Sequence, residues 1–256
     1  GTQEYAEGNK YSGNFVNGER SGTGTFTYAD GSRYEGSWEH NEMSGTGKFY
    51  WGKDNRYEGS FKNGTMNGTG TFYYADGNRY EGEVKNGQQD GEGTFFWKNG
   101  DIYKGHFAKN MKNGSGEHTW IIGDKYTGNY ENDKQSGKGT MTFVNGDKYE
   151  GEWKNDMEHG KGTFLWANGN KYVGQFENNK LSGKGTFFFA NGEKYEGHYK
   201  MNARNGEGIY TWPTGDKYIG HFENDMKSGK GTFFWKEGDK YIGEWRNDKK
   251  NGNGNF

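Results

Sequence analysis

The chain has 256 residues, a formal net charge of −2, no Cys, a single Pro (Pro213) and 48 Gly. Leu, Ile and Val number only 12, which excludes a conventional aliphatic core, but 46 aromatic residues can bury about 150–250 Å² each and replace it. Disulfides, thiolate nucleophiles and Cys-type zinc sites are excluded, no apolar run is long enough to span a bilayer, and the balanced charge offers no general attraction to nucleic acid.

Residues 1–10 read as the second half of a repeat, with Gly1 and Tyr5 in place. From Tyr11 onward the tyrosines Tyr11, Tyr34, Tyr57, Tyr80, Tyr103, Tyr126, Tyr149, Tyr172, Tyr195, Tyr218 and Tyr241 stand 23 residues apart. Complete units therefore start at 11, 34, 57, 80, 103, 126, 149, 172, 195 and 218, and a partial unit covers 241–256. With each tyrosine as register zero, registers two, eleven and thirteen are Gly in every unit, and register twenty is Gly except at Asp54. Register four is aromatic except Val84. Register fifteen is Phe or Tyr except His118 and Met141, and register seventeen is aromatic throughout. Tyr50, Tyr73, Phe96, Phe188 and Phe234 fall at register sixteen.

Registers zero, two and four share a parity, as do eleven, thirteen, fifteen and seventeen, which is strand alternation. One face is aromatic or Gly and the other carries Lys, Glu, Thr or Asn. Each unit reads as a hairpin with a longer turn, as in residues 154–159, and a tighter Asn-Gly turn, as in residues 167–170. Glycine inside a strand marks close backbone approach or a neighbouring ring lying over the chain, and the glycines of registers two and thirteen are expected under neighbouring rings. Isolated hairpins are marginal, so the units must stack. The expected fold is all-β: a single-layer elongated solenoid of stacked 23-residue β-hairpins with a gentle twist, on the order of 100 Å long, forming one continuous array over 1–256. Opening and closing in mid-repeat, at Gly1 and Phe256, reads as a segment of a longer array.

Tyr-x-Gly-x-aromatic, six residues, Gly-x-Gly, then Asn/Asp-Gly resembles the MORN repeat (membrane occupation and recognition nexus). Tyr149 to Trp153, Gly160 to Gly162 and Asn168-Gly169 show the pattern, and the resemblance covers essentially the whole chain. It implies a protein-interaction scaffold of cytoskeletal, ciliary or cortical assemblies, in the cytoplasm or on the cytoskeleton, axoneme or membrane periphery, often as a dimer. It also implies two alternatives: a phosphoinositide-binding module, or a regulatory segment of a larger enzyme.

No residues converge for catalysis. The six His read as exposed polar positions, and His198 and His221, at the same register of adjacent units, are about 9–10 Å apart, too far to share a metal readily. Gly-x-Gly recurs without a helix behind it, so no phosphate loop is expected. No metal, cofactor or nucleic acid is expected. The expected partner site is a groove for a helix or extended peptide at register seventeen, lined by Tyr28, Trp51, Tyr74, Trp97, Trp120, Trp166, Trp212 and Trp235. Lipid head groups would instead meet Lys138, Lys161, Lys184 and Lys230 at register twelve, with Lys148 and Lys171 beside the tyrosines. Cross-strand pairing with Glu at registers one and three is the competing reading of those lysines.

Overall fold

The computed structural model describes residues 1–255; Phe256, assigned to register fifteen, lies outside them. Among the described residues all regular structure is β, with 23 strands and no helix. The chain divides into two compact units, residues 1–123 with 130–133 and residues 124–129 with 134–256. Within each unit the strands pair antiparallel with their sequence neighbours, with no parallel crossover among the described residues.

The hairpin that starts at Tyr149 shows how the sequence builds this. The strands Lys148–Lys154 and Met157–Leu165 are joined by only Asn155 and Asp156, at φ of 51° and 65°. Two consecutive positive φ values define the type I′ turn, whose twist matches that of the strands. The next strand, Lys171–Glu177, follows a five-residue loop. The expected turn lengths are therefore reversed. The tight turn is the one at registers six and seven, where Asn-Asp and Asn-Asn serve as well as Asn-Gly, and the Asn-Gly of 167–170 lies in the longer loop.

Three glycines per unit are invariant for two reasons. Gly151 pairs with Gly162, but Glu152 already pairs with His159, so Gly160 and Lys161 form a bulge. The same slip follows register two in hairpins of both units. Every register-eleven glycine, within the bulge, has a φ between 60° and 111°, where L side chains are strained. Registers two and thirteen are steric. The register-zero tyrosine lies across both, and a Cβ on Gly174 would stand 2.5 Å from the Gly185 Cα and inside van der Waals contact of the Tyr172 ring. Glycines do lie under rings, but the ring belongs to their own hairpin and not to a neighbour.

That tyrosine is the pillar of each hairpin. Its ring is 0–3% exposed in every unit, and its hydroxyl donates to the register-three carbonyl, as from Tyr172 to Gln175 at 3.0 Å. Burial pushes the Tyr172 phenol up to about 12, so it remains a donor. Successive hairpins are then clipped at both turns. The Glu158 amide donates to Asn179 Oδ1 at 2.7 Å while the Asn179 amide donates to the Glu158 carbonyl at 3.1 Å. At the longer loops the Ala167 amide donates to Asp147 Oδ1 at 2.8 Å and the Ala190 amide to Asn170 at 2.8 Å. Pro213 stands at the equivalent donor place and has no N–H. Its intended acceptor, Glu193, instead takes the Tyr210 hydroxyl at 2.6 Å.

Candidate functional site

The aromatic face is graded. Register zero is fully covered, and register four, from Trp38 to Trp245, is 2–7% exposed, Val84 included at 3%. Register-four indoles are also hydrogen-bonded: Trp38 and Trp153 donate from Nε1 to the carbonyls of Gly24 and Gly139 at 3.1 and 3.2 Å. Register seventeen differs on both counts. All of its rings, including Tyr28, Trp51, Tyr74, Trp97, Trp120, Trp166, Trp212 and Trp235, are half-buried. The indole N–H groups of Trp51, Trp97, Trp120, Trp166 and Trp212 find no acceptor among the described residues, so they remain available to a ligand.

Rings of registers fifteen and seventeen alternate in a zigzag along each unit. Much of it is tight, with centroids 4.6 Å apart for Phe26–Tyr28 and Phe95–Trp97, 5.1 Å for Trp166–Phe187 and 4.5 Å for Phe187–Phe189. It is looser at Phe143–Phe164, 6.2 Å, and over residues 49–95, where Phe49–Trp51, Trp51–Phe72 and Tyr74–Phe95 are 6.1, 6.2 and 6.0 Å apart. A cavity of ≈ 630 Å³ opens at this loose stretch, lined by Trp51, Tyr74, Trp97, Gln89, Lys112 and Asp133 among others. Gln89 is 4% exposed and donates from Nε2 to the Tyr74 hydroxyl at 2.8 Å.

Sequence reasoning missed register nine. The bulge puts its side chain opposite register four and therefore on the aromatic face, as in the Phe15–Arg20 pair. Arg20 lies 4.5 Å from the Trp38 centroid and 5.0 Å from Phe26. Lys112 lies over Trp97, Tyr103 and Tyr130, Arg204 over Tyr195, Tyr210 and Phe222, and Lys227 over Trp212, Tyr218, Phe233 and Trp245. Burial lowers the Lys227 ammonium pKa. The other occupants are Met43, Met66, Gln89, Gln135, Glu158, Leu181 and Lys250. The signal was present: register nine shares the parity of registers eleven to seventeen, and a basic residue recurs there, five places after register four.

Two buried ionisable groups break the pattern. Glu158 is 8% exposed, its carboxylate has no hydrogen-bond or ion-pair partner among the described residues, and burial pushes its pKa up to about 7. His118 is a correction to the reading of all six histidines as exposed. It is 7% exposed, stacked between Trp97 and Trp120 at 4.9 and 4.1 Å with ring planes 7° apart. Burial, aided by Lys112, pushes its pKa down to about 4, so the imidazole sits neutral in the stack.

On the polar face Lys138, Lys161, Lys184, Lys230 and Lys171 are exposed and Lys148 is half-buried. They do not form a purely cationic stripe: Lys138 and Lys230 stand directly across the sheet from Glu152 and Glu244, and Lys148 Nζ lies 3.1 Å from Glu150. The expected cross-strand pairing is mostly replaced by pairing within a strand, two residues apart, as in Arg56–Glu58 at 2.7 Å and Lys194–Glu196 at 3.3 Å.

Stacked two-stranded hairpins with a graded aromatic face define a repeat protein of the open β type. The MORN repeat family model matches eleven consecutive segments from 11–33 to 241–256, and the chain belongs to that family. No curated protein matches it in sequence. Among solved structures, the TCP domain of Drosophila melanogaster SAS-4 (dCPAP), in complex with a proline-rich motif of Ana2, is 16% identical. That match covers 61% of this chain and 85% of the other at a TM-score of 0.38. The TCP10 domain of Danio rerio CPAP is 11% identical over 86% of this chain and 93% of the other, at a TM-score of 0.35. A virginiamycin B lyase of Staphylococcus aureus is 10% identical over 93% and 89%, at a TM-score of 0.17. Similarities this distant say nothing about what this chain binds.

Proposed function

We propose that the chain is a non-enzymatic scaffold that binds other proteins through the register-seventeen groove. One observation carries the reading: register seventeen alone combines half-exposed rings in every repeat with indole N–H donors that the fold leaves unused. Rigid amphipathic rings of this kind make good hot spots for an extended peptide or a helix. The loose zigzag around Trp51, Tyr74 and Trp97, with its ≈ 630 Å³ cavity, is the preferred seat in the first unit. Family membership supports a place in a cytoskeletal, ciliary or cortical assembly. Glutamates among the register-twelve lysines weigh against a phosphoinositide surface.

The test uses a peptide selected on the full chain by display. Trp97→Ala should weaken its binding ~30-fold, about 2 kcal/mol, while Lys161→Glu with Lys184→Glu leaves it nearly unchanged. The reverse pattern, with sedimentation on phosphatidylcholine vesicles only when they carry phosphatidylinositol bisphosphate, would replace this reading by the lipid one.

A further inference from the structure

The register-nine slot is a cage for a cation. In five repeats the chain fills it with its own basic side chain: Arg20, Lys112, Arg204, Lys227 and Lys250 each lie over two or more rings. Those rings come from fixed registers: zero and fifteen of the same hairpin, seventeen of the hairpin before and four of the hairpin after. In the repeat that starts at Tyr149 the same registers supply Tyr149, Phe164, Phe143 and Phe176. Phe143–Phe164 and Tyr149–Phe176 centroids are 6.2 and 5.0 Å apart, so the ring set is assembled as in the occupied cages. The cation is missing. Glu158 stands in its place, with Gln135 and Leu181 at the same register on either side and no basic group to neutralise it.

From this geometry we infer that the Glu158 cage receives a cationic side chain, a Lys or Arg, from a bound partner protein. The inference rests on the groove reading above and names the chemistry of one subsite within it. An ammonium placed there meets electron-rich ring faces and a carboxylate that has already lost most of its hydration, so both attractions act with little further desolvation. A neutral or acidic side chain gains neither. The alternative reading, a volume-filling glutamate, places an unpaired carboxylate on a residue only 8% exposed, in a row where Leu181 packs equally well, a costly arrangement with nothing to offset it.

The experiment uses the full chain, labelled with ¹³C at glutamate carboxyls, and two probes: Nα-acetyl-lysine methylamide and its norleucine counterpart. The Glu158 carboxyl carbon is followed by NMR. The lysine probe should give a saturable shift at pH 8 and draw the Glu158 titration midpoint downward, because a bound cation favours the ionised form. Its affinity should exceed that of the norleucine probe by ~10-fold. Tyr149 is the titratable group that faces Glu158, and it stays neutral throughout this range because burial and the nearby carboxylates raise its pKa.

Glu158→Lys, which recreates the occupied state of Lys112 and Lys227, and Glu158→Leu, which copies the neighbouring Leu181, should fold and no longer bind the lysine probe, followed in these variants through the ring signals of Tyr149 and Phe164 because the Glu158 carboxyl is gone. Equal binding of the two probes, or a lysine response that survives in either variant, overturns the cage. The two readings fail separately. If Trp97→Ala and Trp166→Ala weaken the display-selected peptide while Glu158 ignores the lysine probe, the groove stands and the cage falls. If the lysine probe binds at Glu158 but no tryptophan change affects the peptide, the cage stands and the groove falls.

Discussion

The first unit departs from the 23-residue pattern at Asp54, Val84 and His118 and the second at Met141, while register nine varies in both, with Gln89 in the first and Gln135 and Glu158 in the second. The same hairpin frame is kept in both, with every register-zero tyrosine covered. The frame is therefore indifferent to what stands at registers four, nine and fifteen, provided the volume is nearly filled. Those registers carry the chemical individuality of each repeat. In the first unit the ring zigzag loosens around a cavity over residues 49–95. In the second an acid replaces a base in a cation cage. On the polar face the contrast is between Arg33, Arg56 and Arg79, stacked on Tyr50, Tyr73 and Phe96 at 4.5, 3.7 and 4.3 Å, and Lys148 and Lys194, which pair with Glu150 and Glu196.

The strongest test of a shared frame is to break it identically in both units. Gly82→Val and Gly174→Val, both at register two, each drive a Cβ into a pillar tyrosine and to 2.5 Å from the Cα of the paired glycine. Each should cost about 3 kcal/mol or more, the upper end of overpacking, because neither the ring nor the paired glycine can retreat. Native-state hydrogen exchange would locate the loss. A near-neutral result in one unit would show that the tyrosine is a pillar in the other alone.

The next effect separates the units by pH. His118 titrates near 4 in the fold against 6.5 ordinarily, so the unfolded chain binds more protons between these values. Its contribution is present above pH 6.5 and lost as pH falls toward 4. Glu158 titrates near 7 against 4.5, so the folded chain binds more protons in that window. Its contribution favours folding at low pH and is lost as pH rises from 4.5 to 7. Each swing amounts to at most about 3 kcal/mol, and the two oppose one another in the overlap. His118→Phe should therefore raise stability at pH 5 and hardly at all at pH 8, whereas Glu158→Leu should do the reverse. Denaturant midpoints at the two pH values measure both, and parallel shifts would refute the assignment.

The smallest effect sharpens the polar-face contrast. Removing Arg56, both stacked and ion-paired, by Arg56→Met should cost about 1 kcal/mol, while Lys194→Met, from an exposed pair, should cost about 0.5 kcal/mol or less. Thermal melts of the two variants decide it; equal shifts would mean that the stacking on Tyr73 adds nothing.

Much of this was legible in the sequence because the repeat states it eleven times. The period located every hairpin, parity separated the aromatic from the polar face, and paired glycines beside each tyrosine announced a ring on backbone. All of these depend on local geometry, which each 23-residue unit carries in full. What the tertiary structure decided hangs on one non-local detail, the bulge at register eleven. A sequence does not show which strand takes extra residues in a pairing, and two extra residues set register nine opposite register four and the tight turn at registers six and seven. The burial of His118 and Glu158 likewise follows from rings supplied by neighbouring hairpins, since a side chain's solvation is set by what stacks above and below it, whereas its register is set by its own strand.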